Sequence, residues 1–281
     1  MALSTTTDDV RGISPDAIET LITVPVMAQS VAMQAATVID TDATRTHIPL
    51  VTGDPSAAWV AEGAEIGPSD PTVDDLVVIP AKVAGLTIIT NELAADTSPE
   101  ASSIVGDGLA RDIARKIDAA FFGSHGVSTV QPHGLEDLAG VTDVDAGEDW
   151  ANMDPFAEAL ANADALGLQL NTFVANPADA LLLAKLKESA TSNKPLLGPD
   201  PTNPTKRQVQ GVQLLVSPGV TEGTIWGLPK ARVIVVRRKN VTLEVDKSAY
   251  FTSDRTAVKS TMRVGFAFPH AAAVQKIALG D

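Results

Sequence analysis

The stretch Ala58-Trp59-Val60-Ala61-Glu62-Gly63-Ala64-Glu65-Ile66, continued by Gly67-Pro68-Ser69-Asp70-Pro71-Thr72, decides how the rest of the chain is read. Glycine, proline and aspartate cluster after Trp59 as they do in turns. Before the cluster, Ile48 to Trp59 has a strand-like period. After it, Leu76-Val77-Val78-Ile79 and then Lys82 to Thr90 return in the same way. Two long strands joined by a polar tip predict an extended hairpin over residues 46–90. The tip side carries Glu62, Glu65, Asp70, Asp74 and Asp75, with no basic residue before Lys82. Such a hairpin is marginal alone and needs a surface to lie against.

Outward from the hairpin, the chain divides into segments of different period. Residues 14–37 read as a mostly helical arm: Ser14 can cap, Pro15 suits the first helical position, and Pro25 interrupts the pattern. After Ser98-Pro99-Glu100, Val105, Leu109, Ile113, Ile117 and Phe121 recur every fourth residue and predict a long helix ended by Gly123. A strict four-residue stripe drifts round a 3.6-residue helix, so this helix should meet more than one neighbour. Residues 151–222 read as an α/β unit with helices opening at Asp154-Pro155 and Asn176-Pro177. A strand runs over Thr172–Ala175, a proline-rich loop through Pro195, Pro199, Pro201 and Pro204, and another strand over 212–216. The remainder is strand-rich, in runs at 233–236, 241–245, 264–268 and a last one to Ile277.

The chain has 281 residues, 44% hydrophobic and 20% charged, which is a globular composition with room for a real core. It contains no cysteine, so disulfides, thiolate metal sites and cysteine nucleophiles are excluded. No apolar run approaches the ~20 residues needed to span a bilayer, and the polar, acidic start MALSTTTDDV is unlike a signal peptide. A soluble cytosolic product is the expectation, with no membrane partner.

The net charge of −14 is unevenly spread. Residues 1–180 hold 28 acids and 6 bases, whereas residues 181–281 hold 7 acids and 15 bases. Either two differently charged faces are solvated, or the acidic part of one copy meets the basic part of another. The overall field repels phosphate, against a general nucleic-acid binder. The basic cluster Arg237-Arg238-Lys239 repels itself unless matched or solvated, and is the natural partner for the acidic hairpin of a neighbouring copy.

Catalytic motifs are missing. There is no G-x-S-x-G, G-x-x-x-x-G-K-[ST] or H-E-x-x-H pattern. Gly106-Asp107-Gly108 begins like a dinucleotide fingerprint, but Arg111 stands where the third glycine belongs and the run lies inside a helix. Asp143, Asp145, Gly147 and Asp149 are spaced faintly like a calcium loop but lack its twelfth-position glutamate. His47, His125, His133 and His270 are far apart and near turns. No catalytic residue, cofactor or metal is assigned.

Several pieces nevertheless resemble one family in order. Ala58–Ile66 with Ser69-Asp70-Pro71-Thr72 looks like the signature of tailed-bacteriophage major capsid proteins with the Hong Kong 97-type fold. Lys82-Val83-Ala84-Gly85-Leu86, Ile89-Thr90-Asn91-Glu92-Leu93 and Asp96 resemble the hairpin's return and the lead-in to the spine helix. Asp118-Ala119-Ala120-Phe121-Phe122-Gly123 resembles that helix's end, and Gln131-Pro132-His133-Gly134-Leu135 the turn after it. Val174-Ala175-Asn176-Pro177 fits the middle α/β unit, and Arg263-Val264-Gly265-Phe266 with Pro269 and Ala271 the closing strands.

The resemblance implies an α+β fold with an N-terminal arm (1–45), an extended hairpin loop (46–90) and a peripheral domain with spine helix (91–135). It further implies an axial domain (136–222) and peripheral return strands (223–281). It implies a major capsid protein that self-assembles as hexamers and pentamers into an icosahedral shell around double-stranded DNA. The alternatives are an encapsulin-type nanocompartment shell or an enzyme of unrecognised type. Subunit-interface residues are then Trp59, Glu62, Glu65, Asp70, Asp74, Asp75, Arg237, Arg238 and Lys239. Trp59 is either a core aromatic or, as the resemblance implies, an anchor on a neighbouring subunit. Portal, decoration and separate scaffolding proteins are the implied partners, the last because the match begins near residue 14. The implied location is the virion capsid, assembled in the host bacterial cytoplasm. Relatives that weld their shells use a lysine near the extended loop; residues 46–81 contain none, so that chemistry is not carried over.

Overall fold

The computed structural model describes residues 23–280 except 54, 58, 64, 66, 92–99, 127–129, 190–191 and 198–205. The expected cap at Ser14, the first part of the arm, the helix start at Ser98-Pro99 and most of the proline-rich loop lie outside these residues.

Two short helices come first, α1 (Val24–Gln29) and α2 (Val31–Ala35), separated at Ser30. Pro25 sits in the first turn of α1, where its missing N–H costs nothing. Strand β1 (Thr37–Thr41) then leads to β2 (Thr46–Gly53), β3 (Thr72–Val78) and β4 (Ala81–Thr90). The long helix α3 (Glu100–Phe122) ends one residue before Gly123, as its sequence predicts.

Strands β2 and β3 pair antiparallel, from Thr46 opposite Val78 to Val51 opposite Val73. The hairpin proper is therefore shorter than the span 46–90. β4 leaves it and becomes the edge of a four-stranded sheet, ordered β1-β10-β11-β4. That sheet is built on β10 (Ile234–Tyr250) and β11 (Arg255–Ala267). Two separate strands were expected at 233–236 and 241–245; they are one 17-residue strand, bent by register shifts rather than broken.

The stripe on α3 meets several neighbours, as its drift requires. Gly85 on β4 lies so close that an added Cβ would sit 2.9 Å from Leu109 Cδ2. Three turns later Phe121 packs edge-on against Phe266, with ring centroids 5.0 Å apart. Ile113, Ile117 and Phe121 are at most 3% exposed and join Val235, Met262 and Val264 in the main core.

The second body is a six-stranded sheet, β5-β12-β9-β6-β8-β7. Its strands are β5 (Thr142–Asp145), β6 (Thr172–Ala175), β7 (Gln208–Val209), β8 (Val212–Val216), β9 (Thr224–Leu228) and β12 (Gln275–Ala278). Helices α4 (Asp154–Ala165) and α5 (Pro177–Lys185) complete it. Asn176 caps α5 by accepting from the Ala178 amide at 2.9 Å, the role its position before Pro177 suggests. Two strands of this sheet, β9 and β12, come from residues 223–281. The resemblance implies peripheral return strands over that whole segment. β9 pairs with both β6 and β12, and period-two patterning cannot say which neighbour a strand will find.

A third, small core sits at the hairpin base. Ile48 and Val78 pack there against Ile234, Val236 and Ala267 on the four-stranded sheet. Gly265 allows this approach: a Cβ there would fall 2.6 Å from Val78 Cγ1.

Candidate functional site

Beyond that base no described residue of the hairpin is buried. Every described residue from Pro55 to Asp75 is exposed. Glu62 and Gly63 form a turn, with Gly63 at φ +82°, a value that favours glycine. Near the tip, the Ser56 amide donates to Ser69 Oγ at 2.8 Å and ties the two arms together. Trp59 is 106% exposed, so it is not a core aromatic of this chain. Glu62, Glu65, Asp70, Asp74 and Asp75 all face water. Asp75 Oδ2 lies 2.5 Å from His47 Nδ1 across the strand pair.

Arg237 does not form an exposed cluster with its neighbours. It is only 8% exposed, and its Nε and Nη2 donate to the two carboxylate oxygens of Asp40 at 2.7 and 2.6 Å. The reason is the register: β1 runs parallel to β10 and places Asp40 beside Arg237. Its partner is thus inside its own chain. Arg238, one residue on, points to the opposite face of the sheet and is half-buried. The side chain of Lys239 lies outside the described residues.

The sheet brings together cations that sequence distance hides. Arg238 on β10 is opposite Arg263 on β11, and Arg263 is opposite Lys82 on β4. Directly paired residues share a face and sit about 5 Å apart, so three positive charges stand in one row across three strands. Arg263 and Lys82 are exposed. None of the three forms an ion pair with a described residue. Arg238 Nε is buried without a hydrogen-bond partner among the described residues. Arg263 and Lys82 were not read as site residues because neither has a cationic neighbour in sequence. Only knowledge of the strand register could have joined them.

Two other features are chemically distinctive. The rings of His125 and His133 stack with centroids 4.5 Å apart. Asp137 accepts from the His125 amide at 2.5 Å and from Ser124 Oγ at 2.8 Å, which holds its carboxyl below the usual range. A groove of about 340 Å³ opens between β4 and α3, lined by Val83, Ile113, Ile117, Val130, Pro132 and Phe266 among others. Gly106 and Gly108 lie within α3, far from any strand-to-helix turn that could cradle a phosphate.

Comparison with known proteins agrees with this geometry. A family model described as the phage capsid family matches residues 12–279. A search of curated proteins finds no match. Among solved structures, one from Microbacterium phage Oxtober96 is similar with a TM-score of 0.70 at 16% identity, covering 90% of this chain and 91% of that one. The capsid of an empty GTA particle gives a TM-score of 0.72 at 15% identity, covering 90% of each chain. The capsid of a native GTA particle gives 0.68 at 17% identity, covering 100% of this chain and 96% of that one. At such identities the structures speak for the Hong Kong 97-type fold, and the family model speaks for membership. The chain belongs to the phage capsid family and is a major capsid protein, a structural subunit of an icosahedral bacteriophage shell.

Proposed function

We propose that copies of this chain close into hexamers and pentamers, and that these form the shell around double-stranded DNA in a tailed-phage head. The carrying observation is the hairpin: from Pro55 to Asp75 no described residue is buried, although Trp59 is among them. A hairpin anchored only at its base, whose outer part buries none of its own described surface, needs another molecule to lie against. In a closed ring each copy offers one such hairpin and receives one. Small adjustments in the hairpin and the arm would absorb the difference between five and six neighbours.

DNA in this reading is content rather than a sequence-specific ligand, consistent with a net charge of −14. Portal, decoration and separate scaffolding proteins complete the proposed partners. Assembly in the host bacterial cytoplasm fits a chain whose described helices are none of them long and apolar enough to cross a membrane.

Negative-stain microscopy of particles from cells producing the chain tests this directly. Closed shells with both five- and six-fold capsomers are expected, with nuclease-protected DNA inside when the phage packaging proteins are present. Open fibres, or discrete dimers as the end state, would overturn it.

A further inference from the structure

We propose that Asp118 couples the arm to the second body: when α1 and α2 leave the long helix, the turn at residues 217–220 is released with them. This goes beyond the assembly reading and holds for a single folded copy of the chain.

Asp118 is 6% exposed and forms no ion pair with a described residue, so neutral donors balance its carboxylate. From the arm, Ser30 Oγ donates to Oδ1 at 2.6 Å. The α2 amides of Ala32 and Val31 donate to Oδ1 and Oδ2, both at 3.0 Å. From the second body, Ser217 Oγ donates to Oδ2 at 3.4 Å. The two serines are set alike. The Met33 amide donates to Ser30 Oγ at 3.3 Å, and the Gly219 amide to Ser217 Oγ at 3.2 Å. Each hydroxyl receives an amide on its oxygen and turns its own proton to the carboxylate. A continuous run of hydrogen bonds therefore passes from α2 through Asp118 into the turn after β8.

The turn has little slack. Ser30 and Ser217 are both fully buried. A Cβ on Gly219 would lie 2.9 Å from the Asp118 carbonyl carbon and from the Ala119 nitrogen, so the turn is seated on the backbone of α3. Val220 O accepts from Asn176 Nδ2 at 2.7 Å, which carries the contact on to the start of α5. The arm supplies three of the four donors to Asp118. Without them the carboxylate keeps only the longest bond, and a buried charge with a single donor must find water or move. Either response unseats the turn. Polarisation along the run works in the same direction, because each bond strengthens the next. By linkage, opening the turn loosens the arm in equal measure. A force applied to the arm is thus felt in the second body of the same copy.

Native-state amide exchange of the full-length wild-type chain, in rising urea below the unfolding transition, reads these openings residue by residue. The Ala36 amide, which donates to Ala32 O, reports on the arm. The amides of Gly219 and Val220, which donate to Ser217 Oγ and Ser217 O, report on the turn. Amides of β11 mark global unfolding. Ala36, Gly219 and Val220 are expected to share one opening, at lower urea than β11. Ser30→Ala should then speed exchange at Gly219 and Val220 about tenfold, although neither touches Ser30, and Ser217→Ala should speed Ala36 by a similar factor. Both should leave β11 unchanged. In a chain carrying Asp118→Ala, adding Ser30→Ala should alter Gly219 no further. An arm that opens while Gly219 and Val220 stay protected up to the global transition overturns the coupling. So does a Ser30→Ala chain whose exchange rises only within residues 24–36, or equally everywhere. The wild-type measurement decides the matter if a variant fails to fold, and no outcome depends on whether shells form.

Discussion

Ser30 and Asp118, 88 residues apart, are joined by a hydrogen bond of 2.6 Å from the serine hydroxyl to Asp118 Oδ1. The same carboxylate accepts from the amides of Val31 and Ala32, both at 3.0 Å, and from Ser217 Oγ at 3.4 Å. Asp118 belongs to α3, Ser30 starts α2, and Ser217 follows β8 of the second sheet. One buried side chain thus pins the arm and the second body to the long helix. Asparagine there can accept with only one of its two terminal atoms and turns its amide towards amide donors. Asp118→Asn should lower stability by about 1–3 kcal/mol in denaturant titrations. Burial is the main influence on this carboxyl and pushes it above its ordinary value of 3.8, while the four donors pull it back. A raised folded-state value makes the group's contribution greatest below about pH 4 and smaller as pH rises through the folded value. The cost of Asp118→Asn should accordingly be larger at pH 4 than at pH 7.

Arg237 tests the difference between a structural and an assembly charge. Its fork on Asp40 is nearly closed to solvent at the arginine end, whereas the Asp40 side chain is 37% exposed. Removing one member of a fully buried pair costs about 3–5 kcal/mol, and the partial exposure lowers the expectation to about 2–3 kcal/mol for Arg237→Ala. The loss should appear in the unfolding midpoint of the unassembled chain and be unchanged by moderate salt. A variant as stable as wild type would show that the pair contributes nothing to the fold.

Local patterns made the hairpin and the long helix legible in the sequence. Turn residues between Gly63 and Pro71 fix a reversal, and the stripe Leu109-Ile113-Ile117-Phe121 fixes a helix face. That the hairpin's acidic residues face water was readable for the same reason, since acids without bases in a turn-rich tip point outward. What patterns cannot carry is partnership. Asp40 meets Arg237 across 197 residues through a parallel pairing that neither segment announces. The row Arg238–Arg263–Lys82 and the His125–His133 stack likewise exist only once register and loop path are set. β9 is buried at all five positions, so it lacks the alternation that marks a half-buried strand, and nothing local assigns it to the second sheet.

Gly265 sets how closely the hairpin base approaches the sheet. A Cβ there would lie 2.6 Å from Val78 Cγ1 and 3.3 Å from Pro80 Cα, and the second of these is backbone. Gly265→Ala should cost about 1–3 kcal/mol by overpacking. It should also loosen the β2–β3 pair from the sheet, read as faster amide exchange at Leu76 and Val78 than in wild type. Unchanged exchange would mean that the base yields without strain.

The shell should be held without covalent bonds between subunits. Residues 46–81 contain no lysine, and Lys82 stands at the start of β4, at the hairpin's base rather than its tip. Particles boiled in detergent should therefore run as one band near 29.2 kDa. A boil-resistant ladder of multiples would contradict this.

Trp59 offers the sharpest separation of folding from assembly. At 106% exposure it has no packing within its own chain to lose. Trp59→Ala should leave unfolding of the isolated subunit within about 0.5 kcal/mol of wild type, as for other surface changes. An aromatic anchor at an interface commonly costs about 2–4 kcal/mol on truncation, and a closed shell repeats that loss at every copy. Sedimentation should then show folded capsomers or monomers in place of shells at concentrations where wild type is fully assembled. Phe at the same position keeps the ring area and should restore part of the yield, which a purely local disturbance of the hairpin turn would not predict. If Trp59→Ala assembles normally, the hairpin is held by its charges and backbone alone, and the aromatic is a bystander at its tip.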